Sequence, residues 1–205
     1  MATYGIEQAM LSADHPDRDH PQGRTFEVRP PWAAENSELL GRIAYNLRCR
    51  AARLEFPGRR HPVTVRVHGF ASDLERVDIL YTSLLVQMHG ALLTETVPPG
   101  VNARAWRRSW LLGFTAEVTE RIMYAEAAAR QDASATTGSG KGTDLVLADR
   151  EARVLQMQAQ EFPNLLKERP VTYTGSGFTD GRLAGARADI GRSRITDEGR
   201  DGIEH

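Results

Sequence analysis

The chain has 205 residues, 40% of them apolar, with three Trp, six Phe and five Tyr, which lets one domain bury its own core without a metal or disulfide staple. Its one cysteine, Cys49, excludes a disulfide framework and a cysteine-rich zinc site, and no apolar run approaches the roughly 20 residues that span a bilayer. The net charge of -1 excludes a generic polyanion binder but hides a pattern, since residues 42–68 hold seven Arg against one Glu.

Arg outnumbers Lys by 24 to two, as a GC-rich genome produces, so the Arg excess alone is not a phosphate signature. The first residues have neither the basic nor the apolar region of a secretion signal, which predicts a cytoplasmic protein.

In chain order, residues 2–12 read as a short helix and 14–23 as a polar linker broken by two prolines. Thr25-Phe26-Glu27-Val28 alternates as a strand and stops at Pro30-Pro31. Leu39, Leu40, Ile43, Ala44 and Leu47 recur at helical spacing over 35–48. Ala51–Phe56 and Val63–His68 read as two strands around a turn at 57–62. Val63, Val65 and Val67 face one way, opposite Thr64, Arg66 and His68, which predicts an antiparallel sheet with one covered face.

Val77, Leu80, Tyr81, Leu84, Leu85 and Met88 form one stripe of the next helix, with Ser72 or Asp73 as its cap. After Pro98-Pro99-Gly100 a long helix spans about 103–129 with the stripe Trp106, Trp110, Phe114, Val118 and Ile122. Residues 131–143 lack apolar periodicity and read as a mobile surface loop. Leu145–Phe162 becomes a helix that Pro163 ends, a small-residue helix covers about 176–190, and the charged tail from Asp197 reads as frayed. The fold class is α+β: a small antiparallel sheet covered by several helices, within one domain at 24–196.

Several segments, taken together, point to a family. They are Met1–Ile6, Gly69-Phe70-Ala71-Ser72-Asp73, Arg107–Phe114, Leu145–Arg150 and the glycines Gly177, Gly181 and Gly185. In them the chain resembles a family of actinobacterial and actinobacteriophage proteins of unknown function. Members carry an N-terminal helical hairpin followed by a C-terminal α+β domain. The resemblance implies that residues 1–13 are a remnant of the hairpin, so that the chain is either a natural short form or has its true start codon upstream. It implies no activity.

Few residues suggest catalysis. Gly138-Ser139-Gly140-Lys141-Gly142-Thr143 resembles part of a P-loop, but Ala135 stands where its first glycine belongs and no buried strand precedes it. His15, His20, His61, His68 and His89 form no metal-ligand spacing. His15 and His20 sit among Asp14, Asp17 and Asp19, which could form a weak cation site but read rather as a solvated polar linker. His68 could face an open sheet surface or be an ordinary edge residue. Cys49 reads as a small buried apolar residue rather than a reactive thiol. No catalytic residue, metal or cofactor is assigned.

The basic and aromatic residues carry more. Arg48, Arg50, Arg53, Arg59, Arg60 and Arg66 crowd the predicted hairpin, while Arg104, Arg107 and Arg108 flank Trp106 at the start of the long helix; of these, Arg50, Arg59, Arg60, Arg66, Arg104, Arg107 and Arg108 are the expected phosphate contacts. Arginine forks suit phosphate oxygens and an exposed Trp could stack on a base. Positive charge in a first helical turn opposes the dipole, which suggests a partner. Trp106 also falls on the core stripe, and the arginines could instead pair with carboxylates such as Glu55, Glu95 or Glu117.

Gly177, Gly181 and Gly185 in one helix point to close packing, or else Ser176 and Gly177 form a helix-start anion site with Arg182. The sequence therefore predicts a non-catalytic accessory binding protein that contacts DNA or RNA through an Arg/Trp face. One alternative is a homo-oligomer or protein-binding module using the Trp-bearing or small-residue helix. The other is an enzyme for a phosphate-containing substrate.

Overall fold

A computed structural model describes residues 5, 6, 9, 10, 19–54, 62–136, 140–166 and 175–191. Three strands, β1 (Pro21–Val28), β2 (Arg50–Leu54) and β3 (Val63–Phe70), form an antiparallel sheet in the order β1-β3-β2. Helix α1 (Ala33–Asn46) joins β1 to β2, and α2 (Ala71–Thr94) leaves β3 directly. The long α3 (Ala103–Thr136), then α4 (Gly140–Glu161) and the short α5 (Phe178–Arg187), complete the α+β fold.

The register sorts the side chains. Val65 and Val67 of β3 pair with Phe26 and Arg24 of β1 and with Arg53 and Ala51 of β2. That face meets α1 and α2, where Leu40, Ile43, Leu74, Val77, Leu84 and Met88 are buried. The core continues through Trp110, Phe114, Val118 and Ile122 of α3. The apolar stripes of α2 and α3 thus meet, as their periodicity predicts.

Helix α5 lies unusually close to α3. A Cβ at Gly181 would overlap the Trp110 carbonyl oxygen, and one at Gly113 would overlap that of Phe178. The glycines therefore admit one backbone against another, and this contact offsets the roughly 1 kcal/mol that each costs in a helix. The packing explanation for the small-residue helix holds.

The sheet departs from expectation on its second face. Thr64 and His68 are buried because α4 lies across them, so both faces are covered and not one. The inward positions of α4 are Thr143, Leu147, Arg150, Val154 and Gln158. Only two of these are apolar, and the main apolar cluster takes no residue from α4. Ion pairs and hydrogen bonds hold this helix to the sheet in place of a broad apolar seam.

Other boundaries shift for physical reasons. Strand β1 begins at Pro21, inside the predicted linker, and Asp19 is buried. Asp19 accepts hydrogen bonds from the Ser72 backbone N–H at 3.3 Å, the Ser72 hydroxyl at 2.7 Å and Arg150 at 2.8 Å. The carboxylate that satisfies the start of α2 thus comes from Asp19 and not from Ser72 or Asp73. Residues 131–136 continue α3 and 140–143 begin α4, where a loop was expected. Gly5, Ile6, Ala9 and Met10 are helical, with Ile6 and Ala9 buried. The predicted turn at 57–62, apart from Pro62, and the tail from Asp197 lie outside the described residues.

Candidate functional site

The proposed Arg/Trp face does not assemble as one surface. Arg50 and Arg66 do share a sheet face, because Arg50 pairs with His68 and Arg66 lies two residues before it on β3. Helix α4 covers that face and sets carboxylates against them. Arg50 pairs with Glu151, and Arg66 donates to Glu161 at 3.0 Å. His68 is fully buried, 2.8 Å from Glu161 and edge-on to Phe162, so it faces no open surface.

The second half of the predicted face stands elsewhere. Arg108 donates to Glu35 at 2.6 Å, at the start of α1, whereas Arg50 lies over Tyr45 near its end. At 1.5 Å per residue the two ends are about 15 Å apart. Arg104 and Arg107 are exposed, but Trp106 is only 2% exposed and packs in the core. A buried indole cannot stack on a base. Arg59 and Arg60 lie outside the described residues.

The weaker anion site at the start of α5 is closed. The Gly177 N–H donates to the Ser109 hydroxyl at 2.9 Å, and a Cβ at Gly177 would meet the Trp106 carbonyl oxygen at 2.5 Å. Ser176 is exposed, but Arg182 is already held by Glu117 and Glu120 at 2.7 Å. The P-loop resemblance also lacks its context, since α3 precedes it where a buried strand is required. Among the described residues no three His, Cys, Asp or Glu side chains converge on a metal site.

Deeper in the molecule, a chain of buried charges runs from Asp19 through Arg150 and Asp73 to Arg76, Glu126 and Arg48. Three carboxylates face three guanidiniums, and Arg150 stacks 3.6 Å from the Phe70 ring centroid. Burial pushes the Glu126 carboxyl above its ordinary value, against the opposing pull of Arg76 and Arg48. The carboxylates and guanidiniums pair with one another, so the network joins α4, α2 and α3 to the segment before β1 and to the α1–β2 connection.

Among the described residues a cleft of about 260 Å³ lies open between α1 and the edge strand β2. Its floor is Cys49, Ala51 and Val65, and its rim carries Arg42, Arg50 and Arg53. Tyr45 stands at the rim, 67% exposed, with the Arg50 guanidinium 5.1 Å from its ring centroid. Gly41 adds no side chain there, and nothing lies within 4 Å of where its Cβ would be. The helical spacing of Gly41, Arg42 and Tyr45 turns them to this side of α1, while Leu39, Leu40 and Ile43 turn inward.

The thiol on the cleft floor is not an activated nucleophile. The Cys49 thiol is buried, and burial is the leading cause raising its pKa far above the ordinary value, which suppresses the thiolate. Arg42 and Glu38 pair at 2.6 Å as a surface i,i+4 couple, worth about 0.3–0.5 kcal/mol. Tyr45 and Arg42 were absent from the sequence-predicted face because neither belongs to an Arg/Trp string. Their exposure on the polar side of an otherwise apolar-striped helix was the available signal.

No helix among the described residues is long and apolar enough to cross a membrane. Comparison with family models, curated proteins and solved structures gives no match for this chain.

Proposed function

We propose that this protein is a non-catalytic binding module that takes single-stranded nucleic acid in the α1–β2 cleft. The observation that carries the reading is one exposed ring, Tyr45, set beside the exposed Arg42 and Arg53 over an apolar floor. A base stacks on Tyr45 and the flanking phosphates meet the arginines, the combination that single-strand binders use. A small ledge with one ring reads shape and charge and gives little sequence preference. The family resemblance in Gly69–Asp73 and Arg107–Phe114 is compatible with an accessory role of this kind in actinobacteria or their phages.

The nucleic-acid partner proposed from sequence is thereby kept while the surface is moved. Of the basic residues around the hairpin, Arg53 stays on the rim of the cleft, and Arg50 lies at its edge, paired with Glu151. Fluorescence anisotropy of labelled single-stranded DNA and RNA over a salt series tests the reading. Binding should weaken steeply with salt, with a log–log slope of roughly -0.7 for each phosphate neutralised. Tyr45→Ala should weaken binding and leave that slope unchanged. Absence of binding at low salt contradicts the proposal.

A further inference from the structure

Arg50 stands between two elements that compete for its charge. Its guanidinium lies over the Tyr45 ring, 5.1 Å from the centroid, and the residue lines the α1–β2 cleft. Its Nη1 donates to the Cys49 carbonyl at 3.0 Å, and its Nη2 pairs with Glu151 of α4. The register accounts for this double placement. Arg50 opens β2 opposite His68, on the sheet face that α4 covers. From the end of a strand its long side chain also reaches the last turn of α1, where Tyr45 stands.

The Glu151 pair differs from the other ion pairs that anchor α4. Arg150 meets Asp19 and Asp73 with both sides of each pair buried. Glu161 takes Arg66 and His68, neither of which lines the cleft. Among the described residues of α4, Glu151 is the carboxylate whose partner borders the cleft, and its side chain is 43% exposed. A phosphate approaching the Tyr45 ring therefore meets the Arg50 guanidinium with a carboxylate already on it. Opposite charges in contact nearly cancel at a distance, so Arg50 adds little attraction while Glu151 holds it.

We infer that Glu151 is a built-in competitor for the ligand's phosphate, and that the two take Arg50 in alternation. The inference rests on the reading of the cleft as a single-strand site and supplies its regulation. Arg42 is paired as well, but with Glu38 one turn away on the same helix, so exchange there stays within α1. Glu151 belongs to α4, so exchange at Arg50 links two elements. Filling the cleft and seating α4 against β2 then oppose each other. By linkage, whatever draws Glu151 away tightens the cleft by the factor with which ligand loosens that pair.

Anisotropy titrations of a labelled single-stranded oligonucleotide test the inference, at about 0.15 M salt, where screening acts beyond about 8 Å. The proteins form a double-mutant cycle of Glu151→Gln and Arg50→Gln, with melting curves to check that each is folded. Glu151→Gln should tighten binding about three- to fivefold, the strength of a part-exposed ion pair. It should have no effect once Arg50→Gln is present. Asp144→Asn removes the same charge from α4 roughly 10 Å away along its axis, and should leave the affinity unchanged. That arm decides whether Glu151 acts by contact without altering Arg50. Unchanged or weaker binding by Glu151→Gln overturns the inference and leaves the cleft reading standing. Equal tightening by Asp144→Asn, or by Glu151→Gln with Arg50→Gln present, does the same. Absence of binding by the wild type and every variant removes the cleft reading and this inference with it.

Discussion

Glu161 at the end of α4 holds Oε2 2.8 Å from Nε2 of the fully buried His68, while its Oε1 accepts from Arg66 Nε at 3.0 Å. One carboxylate thus fastens the last turn of α4 onto the polar face of the sheet. The hydrogen bond with His68 is the first cause holding this carboxyl below its ordinary value of 4.5, with help from Arg66 and opposition from burial. A depressed carboxyl stabilises the fold fully above its unfolded value, and that contribution disappears as the pH falls through the lowered folded value. Urea midpoints should therefore fall between pH 5 and pH 3 more steeply for the wild type than for Glu161→Gln, which cannot ionise. Equal slopes would show that Glu161 does not fasten α4.

The buried charge chain predicts a large single-residue cost. Arg76 is 2% exposed and Glu126 is 7% exposed, and each is paired with the other. Glu126→Ala leaves Arg76 buried without its main carboxylate, a change that costs about 3–5 kcal/mol. Denaturant unfolding followed by tryptophan fluorescence measures it, and a loss below about 1 kcal/mol, the surface-pair range, would contradict the enclosed network.

Two glycines should respond oppositely to alanine. A methyl at Gly181 collides with the Trp110 carbonyl oxygen, whereas one at Gly41 meets nothing within 4 Å. Overpacking at Gly181 should cost about 1–3 kcal/mol. Gly41→Ala should add about 0.5–1 kcal/mol by improving the helix. Melting curves of the two variants decide between these signs, and a stable Gly181→Ala protein would deny the close α3–α5 contact.

Cys49 should be inert in the folded protein. Its thiol is enclosed and burial raises its pKa, with Asp73 adding to the effect and Arg76, Arg48 and Arg50 opposing it. A disulfide reagent at mildly alkaline pH should label it only as fast as the protein unfolds. Rapid stoichiometric labelling of the native protein would contradict this account of the cleft floor.

Some of this was legible in the sequence. Trp106, Trp110, Phe114, Val118 and Ile122 announce α3 because large residues repeat at the helical period, and Val63, Val65 and Val67 announce β3 by alternation. The cover over the sheet was not legible, because Arg150 and Gln158 interrupt the inward stripe of α4 and disguise it as an exposed helix. Residues 131–135 show no periodicity because their side chains remain outside the core, yet the backbone continues α3. Asp19 looked solvated because its partners, Ser72 and Arg150, lie 53 and 131 residues away. The cationic patch was correctly read as basic but wrongly assembled, since pairing of Arg50, Arg66 and Arg108 with Glu151, Glu161 and Glu35 depends on tertiary contacts.

The most direct test is one oligonucleotide titration at low salt on three proteins: wild type, Arg42→Glu/Arg53→Glu and Arg104→Glu/Arg107→Glu. All four arginines are exposed, so each variant should retain the fold, which circular dichroism checks. The account predicts that the cleft variant loses binding and its salt dependence, while the variant at the start of α3 binds as the wild type does. Binding retained by the first and lost by the second would place the nucleic acid on the long helix and contradict the cleft.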